Sequence, residues 1–160
     1  MIRKITLAVF LAVALSTTAC HKSTTAVTTP AVPVDQRIAQ YVQILATANL
    51  NAANVVVSLK TAGVLTDDQA AQIAVYQVAI AKATAGMSQI LAQPGSWYDK
   101  SIQIQNLALS LVPPSHYDTF GVSSNVQFQA LVTALNACES TIKIIVQMSV
   151  QTAQAAPAAK

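Results

Sequence analysis

Charge is what this chain has least of. Only 9% of its 160 residues are Asp, Glu, Lys or Arg, against about 25% in an ordinary domain. The formal net charge of +3 overstates even that, because Arg3 and Lys4 belong to the opening stretch; without them seven bases face six acids, a balance of +1. No cluster of Lys or Arg stands beyond residue 4, so the chain carries no electrostatic footprint for nucleic acid. Acids are as sparse, and Glu139 is the single one in the last 40 residues, which leaves paired-carboxylate catalysis little material. There are two cysteines and no CxxCH, so covalent c-type haem is unsupported. No GxSxG, HExxH, Walker loop or dinucleotide fingerprint occurs. These absences predict a protein that is not an enzyme and carries no cofactor.

Glycine and proline are also few, four and six, and apart from Gly86 they fall at segment boundaries or in the tail. What fills the chain instead is alanine, branched aliphatics and uncharged polar residues, including 15 glutamines. Long segments of good helix formers, punctuated only at their ends, predict an all-α fold with small-residue interfaces.

The opening MIRKITLAVFLAVALSTTAC has a different grammar. Two bases precede an apolar run from Ile5 to Leu15, and small residues then lead to Cys20. That order is a secretory signal peptide. Its apolar run is 11 residues, far short of the roughly 20 that span a bilayer core. Ser16-Thr17-Thr18-Ala19-Cys20 resembles the lipobox of bacterial lipoproteins. The resemblance covers residues 1–20 and no family is suggested for the rest. It implies cleavage between Ala19 and Cys20, a diacylglycerol on the Cys20 sulfur, and acylation of the new amino terminus. The partner it implies is therefore membrane lipid. His21, rather than Asp, at the second mature position implies the outer membrane, facing the periplasm. Thr17 stands where Leu is usual, which keeps a soluble secreted chain as the alternative. Two or more acyl chains suffice to hold a protein on a bilayer without a spanning helix, at roughly 0.8 kcal/mol per buried methylene.

Four regions follow from this reading: a signal peptide at 1–19, a lipidated cysteine with a Thr/Pro-rich tether at 20–33, a helical domain at 34–154, and a disordered tail at 155–160. The tether cannot bury enough apolar surface to order itself. Within the domain, apolar or small residues recur at steps of three and four. Ile38, Tyr41/Val42, Leu45, Ala48, Ala52, Val55/Val56 and Leu59 mark a first helix over 35–62, closed by Gly63. Thr66-Asp67-Asp68-Gln69 is a capping box opening a second helix, 66–92. Ser96 with Asp99 opens a third, 96–112, stopped by Pro113-Pro114. Phe128, Leu131, Leu135, Cys138, Ile142, Ile145 and Met148 mark a fourth, 124–154, with Glu139 and Lys143 spaced as an i,i+4 ion pair. Short joins between them predict an up-down-up-down four-helix bundle. The tether, the Pro94-Gly95 turn and the C-terminus would share one end; the Gly63 turn and the 115–124 loop would share the other.

The third helix is much shorter than its neighbours, and the aromatic loop is expected to plug the shortfall, with any cleft beside it. His116, Tyr117, Asp118 and Phe120 are the candidate ligand residues, for a hydrophobic molecule or a metal. One histidine among scattered acids is thin for a metal, which needs three or four ligands in fixed geometry. Trp97 and Tyr98 could sit at a headgroup region or pack at a helix start. Cys138, on an apolar stripe, reads as a core thiol, with a dimer disulfide or a redox role as alternatives. The function expected is a membrane-anchored, non-enzymatic structural or interaction module of the cell envelope, with an envelope protein or a second copy as partner. The alternative is a ligand-binding bundle.

Overall fold

The computed structural model describes residues 32–120 and 125–155. Ala19, Cys20 and the tether as far as Ala31 lie outside the described residues, as do 121–124 and the tail from residue 156. Among the described residues the fold has four helices, α1 (Val34–Thr61), α2 (Asp67–Ala92), α3 (Trp97–Leu109) and α4 (Val126–Ala155), and a 3-10 turn at Tyr117–Thr119. No strand occurs among the described residues. α1 packs on α2 and α4, α3 packs on α4, and α2 meets α3 over a smaller area. The up-down-up-down bundle expected from the short joins is the fold.

Local chemistry explains each boundary. α1 ends in a Schellman motif: Gly63 N donates to Lys60 O at 3.0 Å and Val64 N to Leu59 O at 2.9 Å. Gly63 has φ +69°, a left-handed backbone that only glycine adopts without strain. The α2 capping box is complete. Gln69 N donates to Thr66 Oγ1 at 3.2 Å, and Thr66 N donates to Gln69 Oε1 at 2.9 Å. The Thr66→Ala variant is therefore expected to lose about 1 kcal/mol of stability, read from urea unfolding; an unchanged midpoint would show the box to be idle. At α3, Ser96 Oγ accepts from Asp99 N at 3.2 Å.

Two boundaries differ from expectation. α3 stops at Leu109, not at Val112. A residue before proline is pushed out of the α region, and the Pro113 ring would strike the Leu109 carbonyl, so Pro113-Pro114 acts several residues upstream. The chain leaves through one tighter turn, Leu111 N donating to Ala108 O at 3.2 Å. α4 begins at Val126 rather than 124, because Asn125 caps it, its Oδ1 accepting from Phe128 N at 3.0 Å. The Glu139–Lys143 ion pair is not formed: Glu139 turns to Tyr117 instead, and the ion pair found among the described residues is Lys60–Asp67, 3.1 Å, a surface pair of small worth.

The stripes converge as predicted. Ile38, Leu45, Leu59, Ile73, Ile80, Met87, Ile104, Phe128, Leu131, Leu135 and Ile145 are buried together. Small residues let the backbones close in. A Cβ built on Gly86 of α2 would lie 3.1 Å from Leu107 Cδ1 of α3. One polar link crosses this core, Asn49 Nδ2 of α1 donating to Gln77 O of α2 at 2.9 Å. α1 is long and apolar enough to cross a membrane, yet it is the helix whose buried face joins α2 to α4, and its outer side carries Gln36, Gln40, Gln43, Asn51 and Asn54 beside the exposed Ile44, Leu50 and Val57. It is a bundle helix.

Candidate functional site

α3 has 13 residues, α2 has 26 and α4 has 30. At about 1.5 Å per residue, α3 falls short of α2 by roughly 20 Å. Where it stops, α2 and α4 lose their cover, and the 110–120 segment takes its place.

Tyr117 is the principal plug. Its ring is buried and its hydroxyl lies 2.6 Å from Glu139 Oε1 and 2.8 Å from Asn136 Oδ1 of α4. A phenol has one proton. The carboxylate, as the stronger acceptor, takes it, and the Asn136 amide meets the phenol oxygen best with its NH2 turned inward. Phe120 is half-buried against the core. Its carbonyl accepts from Gln69 Nε2 at 2.9 Å, so the side chain that closes the α2 cap also pins the loop. The 63–69 turn and the aromatic loop thus share one end, as the topology requires. At the opposite end Val34, Gly95, Trp97 and Thr152 line one cavity of about 470 Å³.

The four loop residues divide. Tyr117 and Phe120 point inward, whereas His116 and Asp118 are exposed. His116 has φ +59° and serves the turn through its backbone, its carbonyl accepting from Thr119 N at 2.9 Å and from Thr119 Oγ1 at 2.8 Å. No group of three or more His, Cys, Asp or Glu able to hold a metal exists among the described residues.

The cleft borders Glu139, the residue that Tyr117 holds. It has a volume of about 450 Å³ and is framed by Ala108, Leu109, Leu111 and Pro113 from the end of α3, by Glu139, Ile142, Lys143, Val146 and Gln147 from α4, and by Tyr76 from α2. None of the four candidate loop residues lines it. Tyr117 reaches it only through Glu139, as the group holding that carboxylate in place.

Tyr76 is the unusual member. It is 3% exposed, and its hydroxyl has no hydrogen-bond partner. A buried unpartnered hydroxyl costs about 1–3 kcal/mol. Burial, with Cys138 and Glu139 nearby, raises the phenol well above its ordinary pKa. Burial first, then Glu139, likewise raises Tyr117. Burial pushes the Cys138 thiol up to about 11, with Glu139 adding to it. Cys138 is a free, buried thiol, and a thiol held protonated is a poor nucleophile, which fits a core role.

Sequence reasoning missed Tyr76, which sits in an Ala- and Val-rich run with no motif around it. The one signal toward the cleft was the short third helix. Trp97 is packed against the core with its indole N–H buried and unpartnered, while Tyr98 is exposed. No protein-family model matches the chain, and no curated protein or solved structure is detectably similar to it.

Proposed function

We propose that this chain is a lipid-anchored protein of the bacterial cell envelope. Its helical bundle faces the periplasm from the outer membrane and acts by binding rather than by catalysis. The order of residues 1–20, two bases, a short apolar run and Ala19-Cys20, carries this reading. Supporting it, α1 opens at Val34, 14 residues past Cys20. The Thr- and Pro-rich composition of residues 21–33 is that of a spacer. The sparse charges of the bundle suit a binding role.

The test is the intact mass of the protein extracted from its native membrane. The expected mass is that of residues 20–160 plus a diacylglycerol and one further acyl chain. The Cys20→Ala variant is expected to lose all incorporation of labelled fatty acid and to leave the membrane fraction. An unmodified mass beginning near Cys20, or label retained in the variant, overturns the reading.

A further inference from the structure

We infer that the cleft where α3 ends is a binding site for a small, neutral, largely apolar molecule carrying one hydroxyl or amide group. Its volume, about 450 Å³, falls within the range of ligand pockets, which are apolar clefts with a few placed polar groups. Ile142, Val146 and Leu111 supply the apolar surface. Glu139 and Lys143 stand one turn apart on α4 and both line the cleft. They do not pair with each other, since Glu139 is held by Tyr117. One carboxylate and one ammonium sum to zero, so the edge has no preference for an ion of either sign. It offers an acceptor and a donor side by side, which a hydroxyl or amide answers with its own donor and acceptor.

Tyr76 forms part of the cleft wall with its hydroxyl closed off from solvent, so the polar groups a ligand meets are Glu139 and Lys143. The site is independent of the anchor: acylation of Cys20 is read from mass, the cleft from side-chain signals.

The test uses the full chain in lipid nanodiscs, methyl-labelled at Ile, Leu and Val, with empty discs as the blank. Three molecules sharing one naphthalene body are titrated: naphthol, naphthoate and naphthylmethylammonium. The Ile142 and Val146 methyl signals are expected to shift saturably with naphthol, at an affinity at least about fivefold above that of either ion. Lys143→Met is expected to weaken naphthol about tenfold, the worth of one hydrogen bond to a charged group, and to leave naphthalene itself unchanged. Val146→Phe, whose ring occupies the cleft, is expected to abolish the shifts at Ile142 while the Leu45 and Leu135 core signals stay in place. Absence of saturable shifts, equal affinity for the three molecules, or naphthol binding unchanged in Lys143→Met each overturns the proposal.

Discussion

Replacing Phe128 by Ala is expected to lower the unfolding free energy by about 3–5 kcal/mol. Phe128 is the largest fully buried side chain of the bundle. It sits in the first turn of α4, where Asn125 holds its backbone N–H, and it packs into the same core as Leu59, Leu65 and Tyr76. Its removal opens a cavity that the surrounding helices can refill only by moving. For a domain of this size the loss corresponds to roughly 10–20 °C in Tm. Val126, two residues earlier on the same helix, supplies the comparison. It is as apolar in kind but 82% exposed, and Val126→Ala is expected to change stability by less than about 0.5 kcal/mol. Urea unfolding followed by helical circular dichroism measures both. Similar losses in the two variants would mean that the core is not where the stripes of α4 place it.

Stability is also expected to collapse in base. Cys138, Tyr76 and Tyr117 all have folded pKa values raised above their ordinary ones, chiefly by burial. A raised value means that the folded protein keeps its proton while the unfolded chain gives it up. The contribution of each group is full below its unfolded pKa and is lost as pH rises through the folded one. For Cys138 the window runs from 9.0 to about 11, and at about 1.4 kcal/mol per unit the loss is on the order of 2–3 kcal/mol by pH 11. The tyrosines start to contribute above their ordinary value of 10.0 and steepen the fall. Urea midpoints measured from pH 8 to 11 are expected to decline from pH 9. Cys138→Ala is expected to delay that decline until the tyrosines titrate. A midpoint flat across this range would show that these groups reach water in the folded state.

Tyr76→Phe isolates that residue's share of the alkaline loss. It removes a hydroxyl that binds nothing in the protein, so stability at neutral pH is expected to hold or rise, while the alkaline loss shrinks.

Much of the architecture was legible in the chain itself. The steps of three and four in α1 and α4 named the buried faces, because a 3.6-residue turn leaves no other way to bury those side chains together. Gly63, the Thr66–Gln69 box and Ser96 marked helix ends, since their effects are confined to one turn of backbone. The burial of Cys138 followed from its place on a stripe. Pro113-Pro114 misled by three residues, because proline acts on the carbonyl four residues before it and on the conformation of its predecessor.

The candidate site was another matter. His116 and Asp118 look chemical in sequence, and the fold turns both outward. A left-handed backbone at His116 spends that residue on the turn, while Tyr117 drops into the gap left by α3. Glu139 and Lys143 have the spacing of an ion pair, but a phenol arriving from 22 residues away takes the carboxylate first. Tyr76 carries no local signal at all. Its importance arises from what stands over it, the end of a helix and a proline-terminated strap, and from what does not, a partner for its hydroxyl. Periodicity and capping are local, so residues 34–155 alone determined four helices, their ends and their buried faces. Which helix ran short of its neighbours' cover, and which polar groups were left facing the cleft, depended on contacts between segments far apart in the chain, and only the tertiary structure decided them.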